Sequence, residues 1–279
     1  MTAVGSSLKV GAVIITMGNR PDELRALLDS VAKQDGDPVR VVVVGNGSPV
    51  PEVPDGVRTV ELPENLGIPG GRNVGIEAFG PGGQDVDILL FLDDDGLLAH
   101  HDTAELCRRA FAADPELGII SFRIADPETG STQRRHVPRL RAADPMRSSR
   151  VTTFLGGANA VRTRVFADAG VLPDAFFYAH EETDLAWRAL DAGWMIDYRS
   201  DMVLYHPATA PHGTRSTTAW SPATASGWPV ATFPRPWSPS TWAPGCCSPC
   251  SAGRRARPSR PGSAVSGRGG PAPAARAGP

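Results

Sequence analysis

Cysteine is scarce in this chain. Cys107 stands alone before residue 246, and the other three, Cys246, Cys247 and Cys250, crowd into one short segment. That excludes a scaffold stapled by disulfides along its length and fits a reducing compartment. Long apolar runs are missing too. No stretch approaches the ~20 residues of a membrane-spanning helix, and residues 1–9 lack the apolar core of a secretory leader. A cytoplasmic location is expected. Acids cease after Asp201, while eight Arg follow it. Of the 28 basic residues, 20 therefore precede that point with all 30 acids, a net charge of −10. This is a poor footprint for nucleic acid, so no nucleic-acid partner is expected.

What is present is an alternation of strand and helix signals. A hydrophobic fraction of 41% is enough for a core. Residues 9–17, centred on Val13-Ile14-Ile15, predict a first strand. Pro21, Asp22 and Glu23 mark a helix start, and Leu24, Leu27, Leu28 and Val31 share one helical face. Residues 39–44 predict a second strand closed by Gly45-Asn46-Gly47-Ser48, residues 57–62 a short third, and residues 73–79 a second helix. Asp102 with Glu105 predicts a capping box for a helix to Ala113, and residues 118–124 another strand. Residues 127–150, with Arg134, Arg135, Arg139 and Arg141, read as a long polar loop. Beyond it lie a strand at 151–155, a helical turn at 165–169, a helix at 183–192 stopped by Gly193, and strands at 195–198 and 202–205. Such alternation predicts an α/β fold: a Rossmann-like, mainly parallel sheet with flanking helices.

The strongest chemical signal is Ile88-Leu89-Leu90-Phe91-Leu92-Asp93-Asp94-Asp95. An apolar strand ends in three carboxylates, where open α/β sheets place their ligand crevice. Like charges packed so closely ask for a cation or a proton, and Mn²⁺ or Mg²⁺ shared with a phosphate-bearing substrate fits hard oxygen ligands. Alternation along an extended segment would let Asp93 and Asp95 converge on one ion. Glu181, Glu182 and Asp184 gather before a helix carrying Leu185, Trp187 and Arg188. They suit helix capping, an Asp184–Arg188 surface pair, or a general base. His206 closes the last strand as a structural imidazole or as a third metal ligand. The glycine-rich segment 65–73 could present backbone amides to phosphate, though it has no G-x-G-x-x-G pattern and no Walker-type lysine.

From about Val10 to Pro207 these pieces, in order, resemble a bacterial family 2 glycosyltransferase of the GT-A fold, close to rhamnosyl- and galactofuranosyltransferase-like members. The resemblance rests on Thr16-Met17-Gly18-Asn19-Arg20, residues 41–48, Asn65-x-Gly67 with Arg72-Asn73-x-Gly75, Asp93-Asp94-Asp95, Gly156-Gly157, Glu181-Glu182-x-Asp184-Leu185 with Arg188, and the strand ending at His206. It implies metal-dependent, inverting transfer of a sugar from a nucleotide-diphosphate donor to a saccharide or polyprenyl-linked hydroxyl, in cell-envelope polysaccharide or glycolipid synthesis. It also implies roles. Asp93, Asp95 and His206 match the metal site. Glu182 matches the base, with Glu181 and Asp184 as alternatives. Thr16, Arg20, Asn46, Arg72, Asp93, Asp94, Gly156 and Gly157 match the donor pocket. Gly45 stands where many members carry Asp, so either Asn46 substitutes or base recognition differs.

After about Ala208 the chain becomes rich in Pro, Ser, Ala, Gly and Arg without hydrophobic periodicity. Residues 211–279 are expected to be disordered, beside a GT-A domain at 1–210. The family resemblance leads one to expect an aromatic-basic segment and an apolar helix there. Reading the tail one base earlier from Thr214 restores both, which predicts a lost reading frame. Peripheral association with the inner face of the cell membrane is an expectation for a frame-intact form only. Two alternatives stay open: a non-catalytic sugar-nucleotide-binding or scaffold protein, and a sugar nucleotidyltransferase. Met17-Gly18-Asn19-Arg20-Pro21 lacks the glycine-rich basic signature of the latter.

Overall fold

The computed structural model describes residues 7–139 and 144–206. The tail, with its expected disorder and frame loss, lies outside the described residues, as does Arg141. The described residues all fall in one unit, Met1–Arg215.

Strand β1 (Val10–Thr16) leads to helix α1 (Pro21–Ala32), then strands β2 (Arg40–Gly45) and β3 (Arg58–Glu61). Helix α2 (Gly67–Glu77) precedes β4 (Ile88–Asp93) and the short β5 (Leu97–Leu98). Helix α3 (Thr103–Ala113) and β6 (Leu117–Ala125) follow. Then come β7 (Ser149–Arg150), β8 (Ala158–Arg162), α4 (Arg164–Ala169), α5 (Glu181–Asp191) and β9 (Met195–Tyr205). One sheet joins all nine strands in the order β3-β2-β1-β4-β8-β6-β9-β5, with β7 also on β9.

Strand alternation builds two cores. Val10, Ala12, Ile14, Ile88, Leu90 and Leu92 face α1 and α3 through Leu24, Leu27, Leu28, Cys107 and Phe111. Val13, Leu89 and Phe91 face the other way, against Ile76 of α2, Val165 and Phe166 of α4, and Leu185, Ala186 and Ala189 of α5. The result is helix, sheet, helix. Among the described residues no helix is long and apolar enough to cross a membrane.

The parallel expectation describes one half of the sheet. β1, β2, β3 and β4 pair in parallel, but β8 runs antiparallel between β4 and β6, which makes the whole sheet mixed. The strand expected at 151–155 is absent; the strand begins after the glycine pair, as Ala-Asn-Ala-Val-Arg. Those small and polar residues carry little β-propensity, and burial between two strands overrides it. The two expected final strands are one, β9, whose register against β6 slips between Arg199 and Val203. Asp102 makes no side-chain cap on α3. Gln34 Oε1 takes the Ala104 N–H instead, at 2.9 Å.

Candidate active site

The carboxyl ends of β1, β2 and β4 meet the starts of α2 and α5 and the end of β9. At β4 the extended chain stops. Gly96 N–H closes a turn onto Asp93 O at 2.9 Å, so the alternation that would align Asp93 with Asp95 ends there. The three carboxylates face different partners. Asp93 Oδ1 accepts from Arg72 Nη2 at 3.2 Å. Asp94 accepts from Thr16 Oγ1 at 2.7 Å and Arg20 Nη1 at 3.3 Å. Asp95 accepts from the same Arg20 nitrogen at 2.5 Å and lies 3.1 Å from His206 Nε2. Among the described residues no three His, Cys, Asp or Glu side chains are gathered to hold an ion.

These partners set the charge states. Burial pushes the Asp94 carboxyl above the ordinary aspartate value, against the pull of Thr16 and Arg20. Burial pushes Asp95 the same way, but the His206 hydrogen bond and charge, with Arg20, outweigh it and hold the carboxyl below that value.

Gly157 makes room for this end of β4. A Cβ there would lie 1.9 Å from the Asp93 carboxylate, so only glycine lets the turn pack beneath it. The carbonyl of Gly157 also accepts from Asp93 N–H at 3.1 Å.

The glycine-rich segment 65–73 is not a phosphate loop. It forms the first turns of α2, which starts at Gly67, and its leading amides already have partners. Leu66 N–H donates to Asn46 Oδ1 at 2.9 Å, Gly67 N–H to Asn65 Oδ1 at 2.8 Å, and Ile68 N–H to Phe177 O at 2.8 Å. Gly67 is left-handed, at φ +75°, with Phe177 pressed against it. Asn46 is buried and gives its amide N–H groups to Asn65 Oδ1 and Gly67 O, both at 2.9 Å. It ties β2 to α2.

Helix α5 begins at Glu181, two residues earlier than the sequence pattern predicts. Left-handed His180, at φ 70°, and the similar Phe177 and Ala179 bend the chain into it. Glu181 is 3% exposed; its Oε1 accepts from Arg72 Nη1 at 3.1 Å, while its Oε2 has no donor. Burial and the neighbouring Glu181 charge push the Glu182 carboxyl above the ordinary glutamate value. Asp184 is turned to Arg188, 2.7 Å away, which leaves it in a surface pair.

Arg72, 5% exposed at its side chain, therefore bridges the acids of β4 to those of α5. Its position matches a donor-pocket residue in sequence, yet its guanidinium is held by protein carboxylates. His136 escaped the sequence reading, its only signal being the polar segment around it. Its ring centroid stands 6.4 Å from that of His206, and burial with nearby Arg135 and His206 lowers it to about 4.

The sequence profile of glycosyl transferase family 2 matches residues 12–170. The chain belongs to this family. The matched span holds the β4 triplet, Arg72 and the glycine pair of this glycosyltransferase-family chain, while α5 and His206 lie past it. No curated protein matches the chain. Solved structures resemble it in fold. S. aureus TarS is 20% identical with a TM-score of 0.54, covering 72% of this chain and 37% of its own. TarS 1–349 in complex with UDP-GlcNAc is 18% identical with a TM-score of 0.53, covering 77% and 62%. The mannosyltransferase PcManGT from Pyrobaculum calidifontis, in complex with GDP-Man and Mn²⁺, is 20% identical with a TM-score of 0.53, covering 73% and 58%. The chain spans less than two thirds of each. The shared architecture is the mixed α/β GT-A fold.

Proposed function

We propose that this chain transfers a glycosyl group from a nucleoside-diphosphate sugar to a hydroxyl of a saccharide or polyprenyl-linked acceptor, with inversion. The observation that carries this reading is the Arg72 bridge. It ties the carboxylates suited to a metal–diphosphate end to the carboxylates suited to accept a proton. Complexes of the resembling structures with UDP-GlcNAc and with GDP-Man and Mn²⁺ support a nucleotide-sugar donor.

The donor chemistry at β4 fits Mn²⁺ or Mg²⁺. Asp95 and His206 are in contact, and the Asp93 side chain is 40% exposed. Asp95 and His206 would hold the ion together with phosphate oxygens of the donor, Asp93 being turned to Arg72 and not gathered with them. The ion, when bound, would supply positive charge to the leaving diphosphate. Thr16, Arg20, Asp94, Gly156 and Gly157 shape the donor pocket. Asn46 supports its wall through α2 and offers the base no free amide N–H.

Glu182 is the proposed base. It takes the proton of the acceptor hydroxyl as that oxygen bonds to the anomeric carbon. The bond from that carbon to the diphosphate oxygen breaks, and its electron pair leaves with the nucleoside diphosphate. A single displacement inverts the carbon. A role in cell-envelope polysaccharide or glycolipid synthesis, at the inner membrane face, belongs to the same proposal.

The test uses the full chain with a panel of nucleotide sugars and Mn²⁺. Donor binding is read by thermal shift, since a ligand selective for the folded state raises its stability. Transfer is read as released nucleoside diphosphate with acceptor present. Selective binding with release is expected. Binding without release from any donor would instead favour a non-catalytic sugar-nucleotide-binding protein.

A further inference from the structure

The Glu181 carboxylate poses an unusual problem. It is almost fully buried, one oxygen is held by Arg72, and the other has no donor. A buried carboxylate oxygen left unsatisfied is costly. Glu182 follows it on the same helix, and interaction with the Glu181 carboxyl, by charge and by a hydrogen bond, is among the causes that push the Glu182 carboxyl up. Two ionised carboxylates cannot form that bond. One proton between them can.

We propose that Arg72 and Glu181 form a positioning unit for Glu182: Arg72 fixes Glu181 so that its free oxygen accepts a hydrogen bond from Glu182 once Glu182 carries a proton. This rests on the transfer reading above and assigns Glu181 a part distinct from that of base. In transfer, the acceptor hydroxyl gives its proton to Glu182, and the new O–H of Glu182 donates to Glu181. No further group is consumed, and the proton leaves to solvent with product. The Arg72 guanidinium, 3.1 Å away, faces the other oxygen of Glu181 and holds that carboxylate in place.

The surroundings leave little freedom. Arg72 is gripped at its other nitrogen by Asp93 at 3.2 Å. A Cβ on Gly156 would lie 2.9 Å from Arg72 Nη1, so the turn before β8 packs directly on the guanidinium. Among the described residues the charges that act most on Glu182 are Glu181 of its own helix and Arg72 of α2, with Asp93 of β4 beyond Arg72. Asp184 is occupied by Arg188.

Two variants of the full chain separate this hydrogen bond from charge repulsion alone. Glu181→Gln removes the charge and keeps the length; Glu181→Asp keeps the charge and draws the oxygens back. The Glu182 carboxyl is followed by ¹³C NMR of glutamate-labelled protein, its signal assigned by its loss in Glu182→Gln. This readout requires no turnover, so failure of the transfer reading and failure of this proposal are distinguishable. The Glu182 midpoint is expected to fall in both variants. In parallel, kcat is expected to drop about tenfold in both, with nucleoside-diphosphate affinity within about twofold of wild type. Arg72→Lys is expected to recover more kcat than Arg72→Gln. A Glu182 midpoint unchanged by Glu181→Asp would overturn the hydrogen bond. A loss of nucleoside-diphosphate affinity in step with kcat in the Arg72 variants would overturn the positioning role and make Arg72 a donor contact.

Discussion

Three carboxylates at the end of β4 and the adjacent pair Glu181 and Glu182 at the start of α5 carry the same sign, yet only the first group has a partner group for each member. Asp93 faces Arg72, Asp94 faces Arg20, and Asp95 faces Arg20 and His206. At α5 a single guanidinium serves both glutamates, and Glu181 takes it. Glu182 is left beside a like charge with its carboxyl pushed up, while Asp95 is held down. The difference between Asp95 and Glu182 teaches how one crevice can hold one carboxyl down and push another up toward accepting a proton.

Removing the proton acceptor breaks the comparison most severely. Glu182→Gln is expected to lose about 10²–10⁴-fold in transfer while keeping donor binding, the range of general-base catalysis. Steady-state rates beside a binding titration check this. Cutting the link between the clusters comes next. Arg72→Ala leaves Glu181 buried without its cation and is expected to cost about 3–5 kcal/mol of unfolding free energy, measured by urea denaturation. Gly157→Ala drives a methyl into the Asp93 carboxylate and is expected to cost about 1–3 kcal/mol, read the same way, together with weaker Mn²⁺-dependent donor binding.

Acid sharpens the contrast, because Asp95 and Glu182 respond with opposite sign. Asp95 has a lowered folded value, so its contribution to stability is present above the unfolded value and lost as pH falls through the folded one. Glu182 has a raised folded value, so its penalty is complete above that value and relieved as pH falls through it. Urea midpoints of wild type are therefore expected to approach those of Glu182→Gln as pH falls, while those of Asp95→Asn gain on wild type. The smallest effect belongs to the acid outside both clusters. Asp184→Asn loses a helix-surface pair with Arg188, worth about 0.3–0.5 kcal/mol, and is expected to leave transfer unchanged.

Legibility differed along the chain for physical reasons. β1, α1, β2 and β4 announce themselves because a strand buried on both faces must be continuously apolar and an amphipathic helix must repeat its apolar face. β8 carries no such signal. Its Ala158, Asn159 and Ala160 are selected by close packing between neighbouring strands rather than by strand propensity. The glycines of 65–73 suggested a phosphate cradle, yet Gly71 lets α2 settle onto Asn46, as Gly75 just beyond the segment does onto Val13. Side-chain absence reads identically in sequence whether the closely approaching group is a ligand or the protein itself.

The sequence by itself determined the alternation of strands and helices, the acid triplet at a strand end, the acids before α5 and the family they compose, because these depend on periodicity and local spacing. Only the tertiary structure decided which acid meets which base. Arg72 and Glu181 are 109 residues apart, and Asp95 and His206 belong to different strand ends. Pairing across such separations is set by how β8 and β9 insert into the sheet, and burial then turns each pairing into a charge state.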